Sequence, residues 1–373
     1  MVNLMVVFGG ESCEHDISVI TGVQLIANCN EYLYNVIPVY IDKCGVWYTG
    51  DSLKDLDNYP NKLSKLKKCS IHPNDDYLYI EKGGKFKKYI KVDCCIPCLH
   101  GLRGEDGTLF AILNMSKIPC SSSGLVASSV CIDKDIFKCV CSSLNINVAN
   151  GLSINHYDYL LDCEVVFEKV EKLGYPIIIK PCRQGSSIGI YVCHNRNELQ
   201  KNIEISFKYD SKVVIEKFID IKKEVNIALF EYLGDLIFSN TEEPKGKDEI
   251  LSFDDKYKRS GGNFENIKRI IPAEIDTFTL DKIKEISRIV YCKLGMIGVV
   301  RFDFIIDKDD NVYLNEVNSI PGSMANYLFD KKMYPYSKLI DMLVRNGIKL
   351  SVDSCVKVID SGVLGSGLIG IKK

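Results

Sequence analysis

No stretch constrains the fold as tightly as the run Arg301-Phe302-Asp303-Phe304-Ile305-Ile306 and its successor Val312-Tyr313-Leu314-Asn315-Glu316-Val317-Asn318. Both alternate apolar and polar residues, the period of a half-buried strand. The connector Asp307-Lys308-Asp309-Asp310-Asn311 is turn chemistry. An antiparallel hairpin is therefore expected, with Arg301 and Asp303 on one face of the first strand. Glu316 and Asn318 share a face of the second, because side chains two apart point the same way. Asp, Glu and Asn offer hard oxygen donors of the kind that hold Mg²⁺ against nucleotide phosphates. Arg301 beside them is a fixed cation for developing negative charge. An ordinary edge hairpin with solvated polar side chains has the same pattern, so the rest of the chain has to decide.

Upstream, Val6-Val7-Phe8 leads into Gly9-Gly10, a helix is expected over Ile17 to Ala27, and a strand over Asn35 to Ile41. This α/β alternation builds a parallel sheet. Residues 50–90 are Lys-rich and polar and read as a surface excursion. Asp93 to Leu99 is another apolar strand, ending at His100-Gly101 and followed by Gly104-Glu105-Asp106-Gly107-Thr108. A helix carrying Asp133-Lys134 and Lys138 comes next, then strands at Tyr175–Pro181, Gly189–Val192 and Lys212–Glu216. Three segments are expected: an N-terminal substrate domain over 1–121, a central one over 122–214, and a C-terminal one over 215–373 with the hairpin. The length of 373 residues, with 46% hydrophobic and 26% charged residues, fits a soluble globular protein of two or three domains. A net charge of −2 gives no general nucleic-acid or membrane surface. The N-terminus reads as a first core strand and not as a signal peptide. The 16 Cys are expected as buried free thiols, since several lie within apolar runs. Cys95 and Cys98 have CxxC spacing, but a second pair at zinc-site spacing is lacking.

Between two apolar strands lies Pro181-Cys182-Arg183-Gln184-Gly185-Ser186-Ser187-Ile188-Gly189. Gly and Ser there let the backbone close over phosphates and present N–H and O–H donors; a plain hairpin loop has the same composition. Lys180, just before it, is either a snorkelling strand end or a phosphate contact. Glu216-Lys217 ends a further strand, where open backbone groups can meet an adenine edge. With Lys134 this gives three lysines near a hydroxyl-rich loop in the same chain as the Asp303, Glu316 and Asn318 set.

These motifs resemble the D-alanine–D-alanine ligases, a branch of the ATP-grasp enzymes. The resemblance runs from about residue 4 to about residue 345. It is carried by Gly9-Gly10-Glu11-Ser12-Cys13-Glu14-His15-Asp16-Ile17-Ser18, by Leu99-His100-Gly101 with Gly104–Thr108, and by Ser123-Gly124 through Asp133-Lys134. Lys180-Pro181 with Gly185–Gly189, Glu216-Lys217, Lys256-Tyr257, Arg301-Phe302-Asp303 and Asn315-Glu316-Val317-Asn318 with Pro321-Gly322 complete it. The implied fold is mixed α/β and α+β, an ATP-grasp fold behind an N-terminal Rossmann-like parallel-sheet domain. The implied reaction passes the γ-phosphoryl group of ATP to the carboxylate of a first D-alanine, and the amine of a second amino acid displaces phosphate. By the same resemblance Glu14 anchors the first substrate's ammonium, with Ser186 and Tyr257 as partners and His100 nearby. Lys134, Lys180, Lys256 and the loop residues Ser186 and Ser187 contact phosphates. Glu216, Lys217 and Glu224 contact adenine and ribose. Asp303, Glu316 and Asn318 hold magnesium, two ions being expected and manganese acceptable, and Arg301 stabilises the oxyanion. The segment Ser252 to Gly262 is expected as the lid that excludes water from the acyl phosphate. The resemblance also implies a homodimer in the bacterial cytoplasm supplying a dipeptide for peptidoglycan, with no nucleic-acid or membrane partner.

Two departures stand out. The segment between Tyr257 and Pro272 is longer than in typical members. Where the family commonly places a Ser for the second substrate's carboxylate, this chain has Tyr327 within Ser323-Met324-Ala325-Asn326-Tyr327-Leu328. Ser323 or Asn326 is then a candidate replacement, and a D-alanine–D-serine ligase of the vancomycin-resistance branch is the alternative product chemistry. A non-catalytic nucleotide-binding regulator is the alternative from another class. Retention of Arg301 argues against it, because a binder needs no oxyanion stabiliser.

Overall fold

In the computed structural model, which describes residues 1–245 and 269–353, β1 (Val2–Gly9) is sealed on both faces. Leu4, Val6 and Phe8 pack with Val19, Val23 and Ile26 of α1 (His15–Ala27). Met5 and Val7, one residue out of step, pack with Leu78, Ile80, Leu109 and Leu113. Two-sided burial explains why this strand reads as an unbroken apolar run. β1 pairs in parallel with β2 (Tyr34–Ile41) and with β7 (Cys94–Pro97). Beyond β2 the sheet continues antiparallel through β3 (Trp47–Thr49), β4 (Lys67–His72), β5 (Asp75–Lys82) and β6 (Lys85–Lys91). The order is β6-β5-β4-β3-β2-β1-β7.

Residues 50–90 are therefore not an excursion. They add three strands to the sheet, and Leu78 and Ile80 are fully buried. Of the lysines that suggested a loop, Lys85, Lys87 and Lys88 sit on β6, the outer edge, where exposed charge discourages further strand pairing. α2 (Thr108–Met115) covers this sheet, and α3 (Leu125–Ile132) and α4 (Lys134–Ser143) follow.

The second sheet has the order β10-β9-β11-β8 and is antiparallel: β8 (Gly151–Asn155), β9 (Ile177–Pro181), β10 (Tyr191–Cys193) and β11 (Lys212–Lys217). α5 (His156–Leu161), α6 (Cys163–Glu171) and α7 (Arg196–Ser206) cover one face through Val166, Phe167, Val170, Leu199 and Ile203. The third sheet runs β14-β13-β12-β15-β16: β12 (Ile221–Tyr232), β13 (Asp235–Pro244), β14 (Arg269–Ile270), β15 (Val300–Asp307) and β16 (Val312–Asn318). Its covered face packs Phe302, Phe304 and Leu314 against α8 (Thr277–Lys293). α3 and α4, which fall within the expected central segment, place Ala127, Cys131, Phe137 and Cys141 in this same third core.

The last described helix, α9 (Tyr336–Asp353), joins the first and third units. Ile340 and Val344 enter the first core, while Leu339, Met342 and Leu343 pack with Phe230 and Phe329. Asp341 accepts from the Tyr34 hydroxyl at 2.6 Å.

Candidate active site

The uncovered faces of the second and third sheets and the N-terminal end of α1 surround a cavity of about 1030 Å³. The hairpin of β15 and β16 forms with Arg301 opposite Asn318 and Asp303 opposite Glu316. Its turn is set by Asp307, whose Oδ1 accepts from the amides of Asp309 (3.0 Å) and Asn311 (2.8 Å). All four expected residues line the cavity. Arg301 grips Asp303 in a two-pronged pair, Nε to Oδ1 and Nη2 to Oδ2, both at 2.7 Å. Asn318 Nδ2 donates to Asp303 Oδ2 at 3.0 Å. The ladder shifts register just after Asp303, a bulge that aims side chains at a site's edge. Two carboxylates and an amide on one face are hard donors suited to Mg²⁺. The set needs Asn318 as its third member, since no group of three or more His, Cys, Asp or Glu arranged for a metal occurs among the described residues.

Glu14, just before α1, crosses to the loop after β9. Ser186 Oγ donates to Glu14 Oε1 in a very short hydrogen bond. Gly185 makes this possible: a Cβ there would stand 2.9 Å from Glu14 Oε2. Ser186 and Ser187 both hold positive φ, 52° and 59°, strained for residues other than glycine and typical of ligand-holding loops. Lys134 Nζ donates to the Gln184 carbonyl at 2.7 Å and lies 3.9 Å from Glu316. Lys180 Nζ donates to Asn315 Oδ1 at 3.2 Å. His100 is buried, its Nε2 3.0 Å from Thr21 Oγ1, and burial lowers its pKa. A neutral imidazole at neutral pH follows.

The expected adenine and ribose set divides. Glu224 lines the cavity, whereas the side chains of Glu216 and Lys217 do not. Lys217 Nζ donates to the carbonyls of Gly174 (2.9 Å) and Tyr175 (3.2 Å). Glu216 is buried between Lys138 Nζ at 2.6 Å and Lys180 Nζ at 2.9 Å. Burial alone raises its pKa, but the two ammonium groups outweigh it and hold it at about 2. A carboxylate so enclosed is retained there only by paired charge, here from Lys138 and Lys180.

Ser323 and Tyr327 also line the cavity. Ser323 Oγ donates to Gln24 Oε1 at 2.7 Å, and its amide donates to Thr21 Oγ1 at 3.1 Å. The Tyr327 hydroxyl donates to Glu242 Oε2 at 3.2 Å. Lys256 and Tyr257, with the expected lid over 252–262, lie outside the described residues.

Several lining residues were not singled out by sequence. Glu105 sits in the quoted Gly104–Thr108 motif, yet nothing in the pattern told its role. Burial and then the neighbouring Glu14 push its pKa up to about 8, while its Oε2 accepts from the Gly101 amide at 2.8 Å. Asn226, Glu242 and Arg269 come from three strands whose pairing brings them together. Glu242 could have been found only as the inward member of an alternating strand.

Residues 3–123 match the family described as D-ala D-ala ligase N-terminus, and residues 140–345 the family described as D-ala D-ala ligase C-terminus. The D-alanine–D-alanine ligase of Thermosipho africanus is 36% identical over 366 residues, 96% of each chain. The structure of the D-alanine-D-alanine ligase from Coxiella burnetii superposes with a TM-score of 0.79 at 22% identity, covering 94% of this chain and 95% of that one. The VanG D-Ala:D-Ser ligase from Enterococcus faecalis superposes with a TM-score of 0.79 at 28% identity, covering 93% and 99%. Two sheets and the end of α1 closing on a cavity lined by lysines and hairpin carboxylates define an ATP-grasp enzyme. Its sequence matches span almost its whole length, and the chain belongs to the D-alanine–D-alanine ligase family.

Proposed function

We propose that this protein joins two D-alanines at the expense of ATP, through a D-alanyl phosphate, and so supplies the dipeptide for bacterial peptidoglycan. The observation that carries this reading is that the Glu14–Ser186 pair and the Arg301, Asp303, Glu316 and Asn318 hairpin open onto the same cavity. An amino-acid anchor and a phosphate-neutralising set on one cavity are what acyl phosphate formation needs.

Glu14 accepts the first D-alanine's ammonium, and Ser186 keeps the carboxylate turned toward it. His100, neutral by burial, flanks that substrate without adding charge. Lys134 and Lys180 take phosphate oxygens, with Ser187 on the same loop, and Glu216 keeps Lys180 extended. Glu224 on β12 meets the ribose. Asp303, Glu316 and Asn318 hold Mg²⁺, as two ions or with Mn²⁺ in place, which when bound neutralises phosphate charge. Phosphoryl transfer depends on such positioning more than on covalent help. Asp303 fixes one edge of the Arg301 guanidinium, so its remaining N–H groups point in a set direction at the oxyanion formed when the second amine attacks. Lys256 and Tyr257 complete the phosphate and ammonium contacts in this reading. A homodimer and a cytoplasmic location belong to the same proposal; no described helix is long and apolar enough to cross a membrane.

The D-serine alternative is not favoured, because curated relatives at 34–36% identity over more than 90% of the chain bear the D-alanine–D-alanine ligase name. The test is purified protein with ATP, Mg²⁺ and D-alanine, with and without D-serine, followed by chromatography of the products. D-alanyl-D-alanine as the main product at neutral pH supports the reading. A mixed dipeptide as the main product would sink it, and ADP release that never depends on D-alanine would favour a regulator.

A further inference from the structure

Where the family commonly has a small hydroxyl, Tyr327 changes the wall of the cavity, and the structure shows what accompanies it. The Arg269 guanidinium lies 4.5 Å from the centre of the Tyr327 ring. Arg269 Nη1 is 3.3 Å from Glu242 Oε1, and Glu242 is only 3% exposed. The other oxygen, Glu242 Oε2, accepts from the Tyr327 hydroxyl at 3.2 Å and from Asn226 Nδ2 at 3.3 Å. All four side chains line the cavity beside Arg301. Among the described residues two arginines thus face it, and they differ. Arg301 already spends one whole edge on Asp303. Arg269 lies over a ring and beside one oxygen, which leaves most of its five N–H donors to serve a planar anion.

We propose that Arg269, seated on Tyr327 and oriented by Glu242, receives the carboxylate of the second amino acid and is the acceptor-specificity residue of this chain. The inference rests on the ligase reading above. Tyr327 and Glu242 are positioning residues, acting through Arg269. A zwitterionic acceptor must present its amine to the acyl phosphate, and a fork that fixes its carboxylate sets that orientation.

The test is a competition in one vessel holding ATP, Mg²⁺, D-alanine and an excess of D-alaninamide, which can accept but, lacking a carboxylate, cannot be phosphorylated. The ratio of D-alanyl-D-alanine to its amide reports relative kcat/KM for the two acceptors and does not depend on how much enzyme is folded. Wild type should favour the acid. Arg269→Ala should shift the ratio toward the amide by about 10-fold or more, the scale of a lost charge-assisted hydrogen bond. Arg269→Lys should recover part of that shift, and Tyr327→Phe, which only frees the Glu242 oxygen, should move it in the same direction by less. A ratio within twofold of wild type in Arg269→Ala, or in Arg269→Gln if the alanine variant does not fold, overturns the proposal. Wild type that makes no dipeptide at all would refute the ligase reading instead.

Discussion

At the scale of single residues, the cavity places charge with different degrees of constraint. Arg301 is locked by Asp303 and its loss should be felt mainly in the transition state. Arg301→Ala is expected to retain nucleotide binding and to lower turnover by about 10² or more, the effect of removing an oxyanion donor. Steady-state kinetics beside nucleotide titration check this, and unchanged turnover would remove Arg301 from the mechanism. Glu216 is a buried anion held between two lysines. Its pKa of about 2 lies below the ordinary 4.5. Its stabilising contribution is therefore present above about pH 4.5 and is lost as pH falls toward 2. Lys138→Met removes one of its two partners and should cost about 1–3 kcal/mol at neutral pH, with a smaller loss in acid; urea unfolding at both pH values measures the difference. Glu105 has the reverse sign, since its pKa is raised to about 8. Folding favours its protonated form, so its contribution is full below about pH 4.5 and disappears as pH rises through about 8. Glu105→Gln should flatten the stability profile across that window. An identical slope in the variant and the wild type would show that another group causes it. Neither of these two pH behaviours follows from residue type alone: Glu216 and Glu105 are the same acid in sequence, and only their neighbours separate them.

Among the elements, the hairpin and β1 were the most legible. The first strand follows strict alternation of buried and half-buried residues, the Asp307 turn sets the register from Ile306 to Phe304, and the one-residue shift after Asp303 then brings Arg301 opposite Asn318 and Asp303 opposite Glu316. The Lys-rich strands β4 to β6 were missed because solvated edge lysines mimic a loop. Burial of Leu78 and Ile80 appears only when the sheet is assembled. The Glu216-Lys217 strand end was legible as a strand but not as to direction, since which side of β11 faces the cavity is decided by the helices on the other face. Some elements meet so closely that glycine is required. Gly298, just before β15, has φ +74°, and a Cβ there would lie 2.2 Å from the Ser121 carbonyl oxygen. Gly298→Ala should lower stability by about 1–3 kcal/mol or more from backbone strain and the clash. Calorimetry measures it, and an unchanged melting temperature would mean that the Ser121 segment yields freely.

For the whole molecule, three cores meet around one cavity, and α9 fastens the first to the third. Ligands that touch more than one unit should therefore stabilise the chain as a whole. Mg²⁺ and ADP at about 100 times their dissociation constant should add about 2.7 kcal/mol, read as a rise in melting temperature that EDTA reduces. No rise at saturating nucleotide would contradict the assignment of the cavity. The sequence by itself determined the parallel β1 unit, the hairpin, the glycine- and serine-rich loop and, through their order, the family. These are local patterns of alternation, turn chemistry and spacing, which neighbouring residues in the chain enforce. Only the tertiary structure decided that α3 and α4 pack into the third core, that Glu216 is held between Lys138 and Lys180, and that Arg269, Glu242 and Tyr327 converge. Those facts depend on which faces meet across long stretches of chain, from Arg269 to Glu242 at the shortest, and contact at such separation leaves no periodic trace in the sequence.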